Sequence, residues 1–391
     1  MRIGSPLQRI IWWSGWVVIC GLFMTPLFRW RLRGWEKVPR TGNFFLLSNH
    51  TSAFDPVWVS WPIARRCSYM ASAALFRIPV LGPIISTWGA FPKAKFVKDP
   101  EAMRTLTTLY ERDEIIVMFP EGERTWDGRT RAVLPGIGRL VTRLGAKVVC
   151  GRILTGHMFQ PRWAHWMRWV PIRCEHRVLD LDGSESPEEV NRLITEAITI
   201  DVDSIEAPPF SFGWRMAEGL PDYLWACPSC FELRSLEVAR EDRNAVVCQA
   251  CSARWTVDVA CKLHGSTETT VARAHDALTR HFGERPRDAL EGLCAQGEGN
   301  IAVIPRGSKA APDVQATGTV RLTEKALTVG DWVLPLNQVQ AVSVEIRNEL
   351  WLYRGDTRYR LVPGTDSTLL WAHFLEKWRV VNEPTRPSVH S

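Results

Sequence analysis

The stretch Ser48-Asn49-His50-Thr51-Ser52-Ala53-Phe54-Asp55-Pro56 decides how the first half of the chain folds and what chemistry it can carry. An apolar run at 44–47 leads directly into this stretch and has the length of a buried strand. His50 therefore follows the carboxyl end of a strand, where open α/β sheets bind their ligands. Asp55 stands five residues later and can hold one imidazole nitrogen protonated. The pair predicts a general base that takes a proton from a hydroxyl group.

A structural interpretation of the same residues competes with this one. Asp55-Pro56 is also an ordinary helix start, with Asp as the N-cap and Pro at the first helical position. The chain contains nine histidines, so one His-x-x-x-x-Asp spacing can arise by chance. The catalytic interpretation is favoured by the rest of the first two hundred residues.

Composition narrows the class of protein. A chain of 391 residues should form two or more domains, and a hydrophobic fraction of 46% is sufficient for packed cores. The net charge of +6 suits an anionic membrane surface or a phosphorylated substrate and does not require nucleic acid. Four of the ten cysteines form a metal-type pattern and the others are scattered, which indicates a reducing cytosol.

Residues 10–28 are uncharged, mostly apolar and about long enough to cross a bilayer as a helix. More basic residues follow this segment than precede it, so the positive-inside rule places the remaining chain in the cytoplasm. Gly15, Gly21 and Pro26 interrupt the segment, which leaves a monotopic anchor open as an alternative to a spanning helix. A signal peptide is disfavoured because no small-residue cleavage site follows.

Residues 44–182 alternate between short apolar runs and helical stretches, which predicts an α/β domain with a mixed sheet covered by helices. Asp99-Pro100 starts a helix that runs to about 111, and a capping box at Ser186 starts another that runs to about 198. Trp163, Trp166 and Trp169 are interleaved with basic residues. They either seat a loop among lipid headgroups or simply pack on the domain.

Two Cys-x-x-Cys pairs, Cys227/Cys230 and Cys248/Cys251, are separated by seventeen residues. This spacing predicts a closed structural Zn²⁺ site in which four thiolates bind the metal tetrahedrally. The alternatives are a redox dithiol or buried free thiols, and Cys261 and His264 are close enough in sequence to act as substitute ligands. A zinc ribbon of this size has little core, so the metal would supply its folding energy. Trp225 and Trp255 are expected to pack against the two pairs.

Beyond residue 312, short alternating runs read as a β-meander, and a helix at about 366–379 follows them. Strands closed by one C-terminal helix resemble a pleckstrin-homology-like barrel. This resemblance rests on the order of the elements, because no specific sequence motif supports it.

The first domain resembles the glycerolipid acyltransferase superfamily, typified by 1-acylglycerol-3-phosphate acyltransferase, over roughly residues 30–200. The resemblance rests on four motifs in the family's order: Asn49 to Pro56, Gly89 to Lys95, Phe119 to Thr125, and Lys147 to Cys150. It implies that the first motif is catalytic and that the second and third hold a phosphorylated acceptor. It also implies an acyl thioester as the donor, either acyl-CoA or acyl carrier protein.

The residues of these motifs suit that chemistry. His50 and Asp55 are the expected catalytic pair, and Lys95, Glu121, Gly122 and Arg124 are the expected acceptor-binding residues. Arg124 offers a bidentate fork and Lys95 a point charge to a phosphate. Glu121 either accepts a hydrogen bond from the acceptor hydroxyl or holds Arg124 in place.

Two positions depart from the family pattern. Lys95 stands where the family usually has Arg, which allows a different headgroup. Cys150 stands where the family usually has Pro, which would alter the wall of the pocket.

The predicted organisation has seven segments. They are a membrane anchor (1–40), an acyltransferase domain (41–205), a linker (206–222), a zinc ribbon (223–265), a helix and linker (266–312), a pleckstrin-homology-like domain (313–382) and a tail (383–391).

The expected function is membrane-associated O-acylation of a lysophospholipid, first of all 1-acylglycerol-3-phosphate, without a catalytic cofactor. No recognisable Ser or Cys triad motif is present, so direct transfer is favoured over an acyl-enzyme. The alternatives are another lysolipid or amino-lipid acceptor, or a non-catalytic membrane adaptor whose C-terminal domains bind a protein or lipid. Nucleic acid is not expected as a partner, since no basic-aromatic stripe surrounds the cysteine pairs.

Overall fold

The computed structural model describes Ser14 and residues 31–63, 65–94, 99–284, 293–304, 312–346, 349–355 and 357–381. The chain divides into two compact units, one comprising Met1–Arg162, Trp166–Trp214 and Val259–Cys261, the other Trp163–His165, Arg215–Asp258 and Lys262–Ser391. Within the described ranges, no helix has both the length and the apolar character that a membrane crossing requires. The predicted membrane segment at 10–28 lies outside the described residues, apart from Ser14.

The first unit is built on a seven-stranded sheet in the order β1-β7-β6-β2-β5-β3-β4, in which only the β6/β7 pair is antiparallel. This mixed sheet, covered by helices, confirms the α/β fold class predicted for the first domain. Its strands are β1 Arg31–Arg33, β2 Phe45–Ser48, β3 Cys67–Ser72, β4 Ala90–Lys93, β5 Ile115–Met118, β6 Val148–Ile153 and β7 Arg173–Val178. Its helices are α1 Asp55–Ser60, α2 Leu81–Thr87, α3 Pro100–Glu111, α4 Gly136–Leu144, α5 Gly156–Phe159 and α6 Pro187–Ile198.

Strand β2 is central and buried on both faces, which explains its continuous apolar run. Phe45 and Leu47 pack into the core that α3, α4 and α6 cover, whereas Phe44 and Leu46 pack with Trp58 of α1 on the other face. Both neighbours of β2, namely β5 and β6, run parallel to it. The carboxyl ends of these three strands therefore meet at one edge of the sheet.

The helix starts predicted from the sequence are confirmed. The Asp99 side chain accepts a hydrogen bond from the Ala102 amide at 3.0 Å, and α3 begins at Pro100. The Ser186 hydroxyl likewise accepts from the Glu189 amide at 3.1 Å at the start of α6. Both caps satisfy amides that have no partner within the helix itself.

The second unit contains two antiparallel sheets, ordered β12-β11-β10-β9-β8 and β16-β15-β14-β13-β19-β18-β17. The strands of the first sheet are β8 Leu236–Val238, β9 Ala245–Cys248, β10 Arg254–Val257, β11 Lys262–Gly265 and β12 Thr269–Thr270. Those of the second are β13 Leu293–Val303, β14 Asp313–Leu322, β15 Ala326–Val329, β16 Trp332–Pro335, β17 Ala341–Ile346, β18 Glu349–Arg354 and β19 Thr357–Val362. The helices of this unit are α7 Leu220–Tyr223, α8 Val271–Glu284 and α9 Thr368–Val381.

The second seven-stranded sheet begins earlier than predicted. Strand β13 pairs with both β14 and β19, although its residues fall in the segment 266–312 that was assigned to a helix and linker. Gly297 and Gly299 interrupt its apolar pattern, and its register shifts between Cys294 and Glu298. Both features hide the alternation on which strand prediction depends.

The segment 206–222, predicted as a linker, is ordered at both ends. The amide and carbonyl groups of Phe212 and Trp169 exchange two hydrogen bonds of 2.8 and 2.9 Å. Helix α7 then buries Leu220 and Tyr223. Within this segment, Pro209 and Gly219 lie in turns and Pro221 lies in α7.

The first sheet of the second unit is fastened to α9. Arg234 donates two hydrogen bonds to the buried carboxylate of Asp366, at 2.9 and 2.7 Å, and the Trp371 indole donates a third at 2.9 Å. Trp225 lies with its ring centre 4.9 Å from that of Phe282 and 6.0 Å from that of Phe374. Trp225 therefore belongs to an aromatic core that it shares with α8 and α9.

Candidate active site

The structure brings His50 and Asp55 together at the carboxyl edge of the first sheet. His50 Nδ1 lies 2.9 Å from Asp55 Oδ2, a hydrogen-bond distance. Asp55 is fully buried, and the same Oδ2 atom accepts from the amides of Thr51 (2.5 Å) and Ser52 (2.7 Å). The helix α1 starts at Asp55, but its N-cap is Phe54, so the predicted capping role of Asp55 is wrong. The Asp55 carboxylate contacts His50 and the preceding amides instead.

The imidazole of His50 is oriented by its surroundings. Its ring stacks on Phe119, with the ring centres 3.9 Å apart. Because Nδ1 donates to Asp55, Nε2 carries the lone pair that can accept a proton. Burial lowers the pKa of His50, the nearby Arg124 and Arg162 guanidinium groups lower it further, and Asp55 opposes them. The imidazole is therefore neutral, as a base must be, at near-neutral pH.

The loop that carries His50 is anchored to a neighbouring strand. Asn49 Nδ2 donates to the Ile153 carbonyl at 3.0 Å, and the Ile153 amide donates back to Asn49 Oδ1 at 2.7 Å. These two bonds tie the end of β2 to the end of β6. Asn49 is fully buried. The sequence analysis placed Asn49 in the first motif but did not predict that it links these two strands.

Glu121 faces the protein backbone. One carboxylate oxygen accepts from the His50 amide and the other from the Arg131 amide, each at 2.7 Å. Burial raises the pKa of Glu121 to about 8, although these two N–H groups act to lower it. This carboxylate holds the third motif against the backbone of His50.

Gly122 and Arg124 follow in the same loop. Gly122 has a φ of +79° in a turn closed by its own amide and the Phe119 carbonyl at 3.1 Å, a conformation that favours glycine. Arg124 lies close enough to His50 for its charge to lower the pKa of that ring. Its carbonyl accepts a hydrogen bond from Arg162, a residue that the sequence analysis did not assign to the site. Lys95 lies outside the described residues.

The buried thiols of this unit are unsuited to nucleophilic catalysis. Burial raises the pKa of Cys67 and of Cys150 to about 12, so neither forms a thiolate readily. Cys150 lies within the hydrophobic core against α4 and α6. Cys150 therefore contributes to the packing of this core.

In the second unit, the predicted cysteines converge. The Sγ atoms of Cys227, Cys230, Cys248 and Cys251 all lie within 4.8 Å of one another, with Cys227–Cys251 at 3.8 Å and Cys230–Cys248 at 3.7 Å. Tetrahedral zinc with Zn–S bonds of ~2.3 Å places its sulfur ligands ~3.8 Å apart. The Ser229 and Cys251 amides point at sulfur atoms at 3.3 and 3.4 Å. The four thiols therefore match the geometry that a structural zinc ion requires.

The two substitute ligands lie elsewhere. Cys261 accepts a hydrogen bond from Arg168 at 3.2 Å in the first unit. His264 is held between Asp258 and Glu268, at 3.1 and 2.7 Å. Neither residue belongs to the four-cysteine cluster.

Comparisons with known proteins found similarity in the region of the first domain. Residues 29–153 match the Acyltransferase family model. The chain is 25% identical over 118 residues to 1-acyl-sn-glycerol-3-phosphate acyltransferase of Borreliella burgdorferi, covering 30% of this chain and 47% of that protein. It is 29% identical over 137 residues to the protein of the same name from Limnanthes alba, covering 33% and 47%. The chain thus spans about half the length of these curated relatives.

One solved structure is similar in part. The crystal structure of the 1-acyl-sn-glycerophosphate acyltransferase of Thermotoga maritima aligns with a TM-score of 0.41 at 19% identity, covering 51% of this chain and 81% of that one.

Proposed function

We propose that this chain, whose residues 29–153 match the Acyltransferase family model, is a glycerolipid acyltransferase that transfers an acyl group from a thioester to the hydroxyl group of a lysophospholipid. The observation that carries the proposal is the buried Asp55 carboxylate, 2.9 Å from His50 Nδ1 at the carboxyl edge of the sheet. A hydroxyl group seated against Nε2 would then face a base whose orientation is already fixed.

The reaction needs one base and no acyl-enzyme. His50 Nε2 takes the hydroxyl proton as the acceptor oxygen attacks the thioester carbonyl carbon, forming the C–O bond. The C–S bond breaks, and the thiol leaving group takes the proton back from the imidazolium. Asp55 stabilises that imidazolium while it exists. The raised pKa values of the buried thiols support this direct route over a cysteine nucleophile.

The acceptor we propose is 1-acylglycerol-3-phosphate, with acyl-CoA or acyl carrier protein as the donor. Two observations support a phosphorylated headgroup. The relatives carry the name of that activity, and the charges of Arg124 and Arg162 both act on the ring of His50. Guanidinium groups bind phosphate bidentately. Membrane association on the cytoplasmic side remains part of the proposal.

We propose separately that Zn²⁺ binds to Cys227, Cys230, Cys248 and Cys251 and stabilises the second unit. The separations between the sulfur atoms support a closed four-thiolate site. Such a site has no open coordination position and would take no part in acyl transfer.

The central test is acyl transfer to lysophosphatidate by the wild type and by His50→Ala. Loss of a general base should lower kcat roughly 10²–10⁴-fold. The matched control is His264→Ala, which removes an exposed histidine of the second unit and should leave kcat unchanged. Thermal unfolding of both variants would show that they fold. Equal turnover by His50→Ala and the wild type would rule out the mechanism.

A further inference from the structure

The backbone after Arg124 is held on both sides of one peptide unit. The amide of Thr125 donates to the His50 carbonyl at 2.9 Å. The carbonyl of the same peptide unit, which belongs to Arg124, accepts from Arg162 Nη1 at 2.7 Å. The orientation of this peptide relative to His50 therefore depends on Arg162.

Arg162 is itself held in one orientation. Only 8% of its surface is exposed, and its guanidinium carbon lies 4.2 Å from the centre of the Trp126 ring. An arginine stacked on an aromatic face keeps its plane fixed, and its charge persists at all physiological pH values. A long side chain merely covering the surface would have neither property.

The charges around the imidazole come from three elements. Asp55 contacts Nδ1 from α1, Glu121 binds the His50 amide from the third motif, and Arg124 stands in the same loop as Glu121. Arg162 follows α5, and its charge acts on the ring together with that of Arg124. Two guanidinium groups near one base create a local positive potential suited to a dianion.

We infer that Arg162 is a positioning residue that gives the site its preference for an acceptor with a phosphate monoester. It fixes the peptide that carries Arg124 beside His50, and it adds a second positive charge at the same place. The inference rests on the proposed function and refines its substrate class. An acceptor without the phosphate gains nothing from either effect.

The test compares two acceptors, lysophosphatidate and 1-acylglycerol, with one acyl donor. Arg162→Met keeps length but removes the charge and the hydrogen bond, whereas Arg162→Lys keeps the charge. We expect Arg162→Met to lower kcat/KM for lysophosphatidate roughly tenfold more than for 1-acylglycerol, mainly through KM. Arg162→Lys should fall between Arg162→Met and the wild type. Equal losses on both acceptors would overturn the inference.

A matched control is available on the same unit. Arg143 is an exposed residue of α4, and its charge is not among those that act on His50. Arg143→Met should therefore retain the acceptor preference of the wild type. A change of preference in this variant would show that net charge, and not the position of Arg162, sets selectivity.

A second readout does not depend on turnover. Because the charge of Arg162 lowers the pKa of His50, its removal should raise that pKa. NMR titration of the His50 ring, assigned by comparison with His50→Ala, measures this directly. Arg162→Lys should shift the pKa little. An unchanged His50 pKa in folded Arg162→Met would contradict the inference.

The outcomes separate the two proposals. If the wild type acylates neither acceptor, the proposed function fails, while the NMR titration still reports whether Arg162 acts on His50. If the wild type is active and Arg162→Met keeps both its acceptor preference and the His50 pKa, only the present inference fails. If Arg162→Met does not fold, the acceptor preference of Arg162→Lys tests the inference instead. This variant keeps the charge but no longer fixes the Arg124 peptide, so its preference for lysophosphatidate should still be lower than that of the wild type.

Discussion

The His50–Asp55 pair and the four-cysteine cluster both come from short sequence spacings, but they are held in different ways. The pair stands on a sheet buried on both faces, and distant residues such as Ile153 fix its loop. The cysteines stand on two turns of a small sheet, where the N–H groups that face sulfur come from the turns themselves. A hydrophobic core surrounds the first site, whereas the second, under our proposal, would depend on bound zinc.

Metal removal should have the largest effect on stability. If it had no effect, the contrast between the two sites would be wrong. Structural zinc contributes an apparent ~10–16 kcal/mol to the folding of small zinc domains. We therefore expect Cys251→Ser, or chelation, to abolish the unfolding transition of the second unit in scanning calorimetry and to release one zinc per chain. The control is Cys294→Ser, an exposed cysteine outside the cluster. An unaltered transition in Cys251→Ser would show that this unit is also preformed.

The next largest effect should come from Gly156, the first residue of α5. A Cβ atom at this position would lie 2.4 Å from Thr51 Oγ1 and 3.1 Å from Asp55 Oδ1. Gly156→Ala must displace the Thr51 hydroxyl and crowds the neighbouring Asp55 carboxylate, which orients His50. Misplacement of this kind should lower kcat roughly 10–10²-fold. Steady-state kinetics would measure it. Gly136→Ala is the control, because nothing lies within 4 Å of a Cβ atom there.

The smallest effect concerns stability and pH. Glu121 accepts two amide hydrogen bonds, and Gln offers only one acceptor oxygen, so Glu121→Gln should cost about 1–3 kcal/mol in unfolding free energy. The pKa of Glu121 is raised from 4.5 to about 8, so its ionisation opposes folding. Relative to Glu121→Gln, the wild type should lose stability as pH rises from about 4.5 to about 8. Denaturant titrations across this range would test the slope, and an increase with pH would contradict it.

Local features of both regions were predictable from the sequence. The apolar run before Ser48, the Asp99 and Ser186 caps and the approach of His50 to Asp55 depend on residues within five positions of one another. The spacing of the cysteines similarly predicted that their sulfur atoms converge. The caps and the His50–Asp55 approach follow from helix and turn geometry, whereas the convergence of the cysteines follows from a spacing typical of zinc sites.

Contacts that depend on the path of the backbone were not predictable. Glu121 binds the amides of His50 and Arg131, and backbone amides leave no mark in a side-chain pattern. Arg162 reaches the site because α5 returns the chain past the third motif, and in the sequence it stood among tryptophans that suggested a membrane surface. Strand β13 was missed because its pairing with β14 and β19 compensates for glycines that locally disfavour a strand.

The hydrogen bonds between Arg234 and Asp366 restrict how the second half of the chain can be divided into separate fragments. A polypeptide that stops at residue 265 would keep all four thiols, yet it would lose the carboxylate that receives the Arg234 fork and the Phe374 ring beside Trp225. The four-cysteine cluster would then lie beside an exposed aromatic surface prone to aggregation. Excision, grafting to another protein or deletion should therefore treat 215–258 and 262–381 as a single piece.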